Sequence, residues 1–366
     1  MRTLGIGGAG SKIALSLDPE ATVINVSQIE LEKTDAANKL LAVVHSSEGQ
    51  LQGSRKDPQI GRDAFLSIKE QVQSLASGGL VLASTGGGTG NGLSTGLLNE
   101  LSALSSVPQT DKTRFGFILP YPHAEPTEYV NNTIDFLENP LSTAIDTGNT
   151  GNIYLFSNRR KFESRLPEEE FNQQLADSLK HFLAIPEKNA SCRLLDGHID
   201  YEDFALYQAR PYFNHFTYFT YDPDTPFGEQ LEPNHNPLLL EPDTPIEALF
   251  LLEMPKNSDP TCFYDILDYF TDLNVSPVYS VVENPQLRNP RVTVSLLYSR
   301  KPAELVADFQ RVSEAQTEAK VRKSLEQNVE LPKLEVNLEN EAKRVARRQG
   351  ADEDDVLAIL RRLGKL

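Results

Sequence analysis

The sequence of 366 residues contains no tryptophan, two cysteines and two methionines. The cysteines, Cys192 and Cys262, are too few for a disulfide framework and fit a reducing compartment, where both serve as small buried residues. Positive charge is scarce as well: 35 Lys and Arg face 52 Asp and Glu, a net charge of −17. That balance argues against binding of nucleic acid, or of an anionic membrane, by the main body. Long apolar runs are missing, and none approaches the ~18 residues of a membrane span. The chain enters a strand and a glycine-rich turn almost at once, which leaves no room for a signal peptide. Internal repeats and low-complexity blocks are absent. The expectation is a soluble, cytoplasmic protein whose 39% hydrophobic residues fill a sizeable core.

What the chain does have is glycine in two concentrated places. Ser84 to Leu93 reads STGGGTGNGL, with five glycines in ten residues, directly after the apolar run Gly79-Leu80-Val81-Leu82-Ala83. Gly5-Ile6-Gly7-Gly8-Ala9-Gly10 follows the first strand and precedes a helical pattern. Short apolar runs alternate with helical patterns over 1–165, which predicts an α/β domain with a parallel sheet and ligands at the strand C-terminal ends. A long central helix and a loop follow over 166–206, then a smaller α/β domain over 207–301, a long helix over 302–330 and a helical tail over 331–366.

Gly5 to Gly10 fits the dinucleotide fingerprint G-x-G-x-x-G, which alone also describes a tight strand–helix corner. A phosphate-binding P-loop would need Lys then Ser after Gly10, and the chain has Ser11 then Lys12. A dinucleotide-binding oxidoreductase would need an acid closing the second strand, and that strand ends Asn25-Val26-Ser27-Gln28. Such an enzyme also has no use for a second, richer glycine loop. Two glycine loops at two strand ends, each opening a helix, offer backbone N–H groups to anions and suit a nucleoside triphosphate.

Gly86-Gly87-Gly88-Thr89-Gly90-Asn91-Gly92 resembles the tubulin signature G-G-G-T-G-[ST]-G, with Asn91 in the Ser/Thr slot. Gly7 to Gly10 resembles the opening loop of FtsZ, and Gln52-Gly53-Ser54-Arg55-Lys56-Asp57-Pro58-Gln59-Ile60-Gly61-Arg62 resembles the FtsZ loop that reaches the γ-phosphate. The chain is thus similar to the tubulin/FtsZ superfamily over about 1–325, and most similar to its phage- and plasmid-encoded members of the TubZ and PhuZ type. The resemblance implies GTP or GDP with Mg²⁺, and a 1–165 domain that binds GTP. Its implied nucleotide contacts are Gly7, Gly8, Ala9, Gly10 and Ser11 in the first loop, Gly53 and Ser54 in the next, and Gly86 to Gly92. Asn25, Asn158 and Asp177 are implied on the guanine side, where an Asp accepts from N1–H and N2–H₂ and so selects guanine over adenine. No base-stacking aromatic is evident.

Asp196-Gly197-His198-Ile199-Asp200-Tyr201-Glu202-Asp203-Phe204 resembles the FtsZ catalytic loop N-x-D-F-A-D. Asp200 and Asp203, three apart at a helix start, share a face and can polarise a water. Acidic N-capping of that helix is the alternative. His198 stands where the family has asparagine, and no second ligand cluster supports a metal site there. The resemblance implies that this loop completes the site of the next subunit, which makes the protein a GTPase that forms head-to-tail filaments and positions or segregates phage or plasmid DNA. A divergent FtsZ-like cell-division or cell-shape GTPase is the alternative role.

The tail pairs the acids Asp352 to Asp355 with a stripe of Val356, Ile359, Leu360 and Leu363. From Lys333 onward 8 basic and 7 acidic residues give about +1, against about −18 for the rest. Such a tail is expected to contact a neighbouring subunit, its own body, or a DNA-adaptor or cargo protein.

Overall fold

The computed structural model describes residues 1–46, 49–231, 245–259, 261–299 and 303–326, with 358 and 361. The chain divides into two units, Met1–Gln316 and Thr317–Leu366. The expected tail, its apolar stripe included, lies outside the described residues apart from 358 and 361, as do residues 232–244. No helix among the described residues is long and apolar enough to cross a membrane.

The strands in chain order are β1 (Thr3–Ile6), β2 (Thr22–Asn25), β3 (Asn38–Leu41), a short hairpin of β4 (His45–Ser46) and β5 (Gly49–Gln50), β6 (Leu80–Ser84), β7 (Thr113–Leu119) and β8 (Thr150–Ser157). Then come β9 (Arg193–Gly197), β10 (Phe213–Thr220), β11 (Glu247–Met254), β12 (Val278–Glu283) and β13 (Arg291–Tyr298). Eleven of them form one sheet in the order β3-β2-β1-β6-β7-β8-β10-β13-β11-β12-β9. From β3 to β10 every neighbour is parallel, as the strand–helix alternation predicts. β13 is antiparallel to both β10 and β11, and β9 closes the far edge against β12.

Side chains alternate between two cores, one on each face of the sheet. In β6, Val81 and Ala83 enter one core while Leu80 and Leu82 enter the other. β8 divides in the same way, Ile153 and Leu155 against Tyr154 and Phe156. The second core receives Ile13 and Ala14 of helix Gly7–Leu17 and Phe171, Leu175, Leu179 and Phe182 of the central helix, Glu168–Leu183. Those four recur every three to four residues, which is why Glu168–Leu183 is helical and which face it buries.

The join between β8 and β10 has a single register pair, Phe213 to Ile153. A buried polar chain reinforces it. Asn214 Nδ2 donates to Asn152 Oδ1 at 2.7 Å, Ser295 Oγ donates to Asn214 Oδ1 at 2.8 Å, and Asn152 Nδ2 donates to the carbonyls of Tyr207 and Arg210, each at 3.0 Å. The sheet therefore continues past position 207, where composition changes in the sequence.

Glu253 of β11 is 1% exposed. It accepts from Lys188 Nζ and Asn284 Nδ2, both at 2.8 Å, and Arg291 Nε lies 3.8 Å away. Burial opposes its ionisation, but the Lys188 hydrogen bond and charge, then Asn284 and Arg291, outweigh burial and hold the carboxyl below the usual carboxylate range. A depressed acid stabilises the fold above its unfolded pKa, and that stability is lost as pH falls through the folded value. Glu253→Gln is therefore expected to cost on the order of 3 kcal/mol at pH 7, the scale of a broken buried pair. The variant should also lose less stability than the wild type below about pH 4.5. Urea unfolding at pH 7 and pH 4 measures both effects.

Candidate functional site

β1 and β6 lie side by side, parallel, with Ile6 opposite Ala83. From β1 the chain builds outward through β2 and β3, and from β6 outward through β7 and β8, so the topological switch point falls between them. Helix Gly7–Leu17 starts directly after β1, and helix Gly88–Ala103 starts a few residues after β6. The glycine motifs read as loops in the sequence are thus partly first helical turns. Neither N-cap residue, Ile6 or Gly87, makes a side-chain cap hydrogen bond, and neither first turn carries an acid. Ser27, Asp57 and Asp200 cap three other helices, while helices such as Lys69–Ala76, Thr127–Glu138 and Glu168–Leu183 are without a side-chain cap; what sets the two ends apart is that they lie side by side at the switch point. Two helix ends at one switch point keep their N–H groups and positive dipole ends free for an anion.

A cleft of about 390 Å³ opens there. Of the residues expected from the sequence, Gly7, Gly8, Asn25, Gly53, Ser54, Gly87, Gly88, Thr89 and Gly90 line it. Gln52, Arg55 and Lys56, from the segment that resembles the γ-phosphate loop, line it as well, and so do Ser27, Glu30, Ser84 and Tyr129, which the sequence motifs do not assign to the site. The pair Ser27 and Glu30 was legible as S-x-x-E, the capping-box spacing, and Ser27 Oγ does accept from Glu30 N at 3.3 Å. Glu30 in turn accepts from Asn25 Nδ2 at 3.0 Å, so it is the Asn25 amide that this carboxylate orients.

Other expected residues stand behind the cleft wall. Gly10 packs on β6, where a Cβ would fall 2.1 Å from the Leu82 carbonyl oxygen. Gly92 lets helix Pro58–Phe65 approach, since a Cβ would fall 2.2 Å from the Pro58 carbonyl oxygen. Ala9, Gly86 and Ser11 are not in the lining, and the Ser11 hydroxyl donates to the Gly5 carbonyl at 3.2 Å. Asn91 is buried, and its amide donates to the carbonyls of Thr85 at 2.7 Å and Asn132 at 3.0 Å. The longer amide in the Ser/Thr slot thus ties the signature to the preceding strand end and to helix Thr127–Glu138. Asn158 and Asp177 lie outside the lining. Asn158 Nδ2 donates to Glu125 Oε2 at 3.0 Å, and Asp177 accepts from Gln173 Nε2 at 2.9 Å.

The segment from Gln52 to Asp57 forms a further wall. Thr89 Oγ1 donates to Ser54 Oγ at 3.0 Å, and Asn132 Nδ2 donates to the carbonyls of Gly86 at 2.9 Å and Lys56 at 3.1 Å. Between these ties Arg55 and Lys56 hold φ of 50° and 64°, left-handed values that cost L-residues about 1–2 kcal/mol each.

The acidic loop stands apart. Asp200 caps helix Tyr201–Gln208, its Oδ1 accepting from Asp203 N at 2.8 Å, so capping is one role of this carboxylate. Asp200, Asp203 and His198 are all exposed. Among the described residues no group of three or more His, Cys, Asp or Glu is placed to hold a metal. The start of the central helix meets the cleft-side helix through Glu168 and Lys12, 2.7 Å apart. Near its other end, Phe182 packs on Phe204, ring centroids 5.1 Å apart. Those fourteen helical steps span about 21 Å at 1.5 Å each, which keeps the acidic loop away from its own cleft.

No family model matches the sequence, and no curated protein matches it. Solved structures do. TubZ of Clostridium botulinum phage c-st is similar with a TM-score of 0.61 at 16% identity, covering 87% of this chain and 98% of that one. A GTPγS-form protofilament of Bacillus thuringiensis serovar israelensis TubZ gives 0.71 at 12% identity, covering 88% and 94%. An empty FtsZ dimer from M. jannaschii gives 0.56 at 17% identity, covering 82% and 88%. The likeness spans nearly the whole of each chain and is one of fold. The chain has the fold of the tubulin/FtsZ superfamily.

Proposed function

We propose that this protein binds GTP in the cleft at the switch point and hydrolyses it while assembling head to tail into filaments. One observation carries the reading: two adjacent helices with uncapped N-termini open onto one glycine-walled cleft. Each such end favours a phosphate by about 0.3–1 kcal/mol, more where water is excluded. Arg55 and Lys56 are the cations in the cleft lining of a chain with net charge −17. Guanine-nucleotide-bound protofilaments among the structures of like fold support the choice of nucleotide and the self-association. Asn25, Asn158 and Asp177 are the proposed guanine contacts. Asn158 would leave Glu125 to serve the base.

Mg²⁺ suits the oxygen-rich lining, where the Glu30 carboxylate and the Ser54 and Thr89 hydroxyls would complement phosphate oxygens. When bound it would neutralise charge on the phosphates. The reaction needs a water aimed at the terminal phosphate, and the proposed source is the carboxylate pair Asp200 and Asp203 of the following subunit, with Asp200 also holding the turn in shape. Separation of the acidic loop from its own cleft by the central helix favours this division of labour between subunits. The cellular role we favour is positioning or segregating phage or plasmid DNA through a tail-bound adaptor, with the filament in the cytoplasm. A phage-encoded TubZ among the structures of like fold supports it.

Turnover per subunit is expected to vanish below the concentration at which light scattering and negative-stain microscopy detect polymer. A flat specific activity through that concentration rejects a shared site. Asp203→Asn and Asp200→Asn should bind GTP with unchanged affinity, slow hydrolysis about 10²-fold or more and leave filaments persisting. Asp200→Ala should in addition lose about 1 kcal/mol of stability with its cap. A Cβ at Gly8 would meet no heavy atom within 4 Å, so Gly8→Val should fold normally and lose GTP affinity by obstructing the cleft. Gly10→Ala, forced against Leu82, should instead lower stability by about 1–3 kcal/mol. Thermal unfolding and nucleotide titration separate the two.

A further inference from the structure

Helix Thr127–Glu138 meets the cleft on one side and the long helix Ala303–Glu326 on the other. On the cleft side Tyr129 is in the lining, and the Asn132 amide donates to the carbonyls of Gly86 and Lys56. Asn91 of the glycine run donates back to the Asn132 carbonyl, and the buried hydroxyls of Thr133 and Thr85 share a hydrogen bond of 2.8 Å. On the other side Ser313 Oγ donates to Asn131 Oδ1 and Thr127 Oγ1 donates to Gln316 Oε1, each at 2.6 Å. Gln316 Nε2 reaches on to the Pro122 carbonyl, and Gln310 Nε2 donates to Glu138 Oε1, each at 3.0 Å. At about 100° per residue, Thr127, Asn131 and Glu138 fall within about 40° of one another, and Tyr129, Asn132 and Thr133 centre on the opposite side of the helix.

We propose that helix Thr127–Glu138 couples the cleft to the turn at 313–316 of the long helix, so that occupancy of the cleft and docking of that turn strengthen each other. This rests on the reading of the cleft as a nucleotide site. The preceding turn is anchored by Phe309 and Val312, both buried, whereas Ser313 and Gln316 dock through polar contacts with Asn131, Thr127 and Pro122. A neutral hydrogen bond is worth about two- to tenfold in equilibrium terms, so this turn can open locally while its anchor stays. Docked, it holds helix Thr127–Glu138 from behind and keeps Tyr129 and Asn132 against the glycine run. Open, it withdraws that support, and ordering the wall then costs binding free energy. A nucleotide therefore binds the docked form better, and linkage requires that it favour docking by the same factor. The Pro122 contact extends the coupling to the segment that carries Glu125, the partner of Asn158. The first unit ends at Gln316 and the helix runs on to Glu326, so a load on the chain beyond this point reaches the cleft through this turn.

The test uses GDP and the full chain, below the concentration at which light scattering detects polymer. Gln316→Leu combined with Asn131→Ala removes contacts on the far side of the helix, and neither residue lines the cleft. The double variant should weaken GDP about fivefold. Glu314→Gln, at an exposed position of the same long helix, should leave the affinity unchanged. In the wild type, saturating GDP should slow hydrogen exchange of the 313–316 amides by about the same fivefold, read by mass spectrometry, and in the double variant it should not. Thermal unfolding establishes that each variant is folded. If the double variant does not fold, Asn131→Ala alone and the wild-type exchange carry the test. Wild-type affinity in the folded variant, an equal loss in Glu314→Gln, or exchange at 313–316 that GDP leaves unchanged overturns the proposal while nucleotide binding stands. A wild-type chain that binds no GDP overturns the functional reading and this inference together.

Discussion

The parallel pairing of β1 with β6 is the constraint on which the site depends. Parallel neighbours point their C-terminal ends the same way, and each of these strands feeds a helix whose first N–H groups have no side-chain partner. One such helix end is a common feature, but two beside each other concentrate positive potential in a small volume. The cost is local crowding. Gly10 lets the first helix lie on β6, and Gly7, with φ of 70°, turns the chain from strand into helix where a side chain would face Gly90.

The central helix sets the second constraint, which is distance. Buried through Phe171, Leu175, Leu179 and Phe182, it cannot shorten or swing without opening the second core. One end meets the helix that starts at the cleft and the other is packed beneath the acidic loop, so the helix length sets the two apart within one molecule. The same helix leads through Ile185–Ser191 to Lys188 and the buried Glu253, and so joins the parallel half of the sheet to the mixed half. The polar chain through Asn152, Asn214 and Ser295 makes a second join where β8 and β10 share little backbone pairing.

Charge and strain meet in the segment from Gln52 to Asp57. A strongly acidic chain keeps two cations in the lining of this cleft, on backbone that non-glycine residues adopt at a cost. Asn132 stabilises that arrangement with two hydrogen bonds to carbonyls on opposite sides. The glycine signature and this segment therefore form one mechanical unit, with Asn91 anchoring it from behind through Thr85 and the Asn132 carbonyl.

By itself the sequence determined the alternation of strands and helices, because period-2 and period-3.6 burial are local patterns. It also placed the two glycine turns after buried strands, and with them most of the cleft's backbone. The switch point is what allowed those turns to be read as a single site. The sequence could not separate glycines that face the cleft, such as Gly8 and Gly87, from Gly10 and Gly92, which serve close packing, because both kinds are the absence of a side chain. It was equally silent on Tyr129, far from Lys56 in the chain and brought into contact with it only when helix Thr127–Glu138 docks beside the glycine run. Residue type and order singled out Asn158 and Asp177; the side chain of Asn158 meets Glu125 through the tertiary structure, whereas that of Asp177 meets Gln173, one turn away on its own helix. Local patterns follow from neighbours in the chain, whereas a site is assembled by long-range packing, and packing alone decided which of these side chains meet.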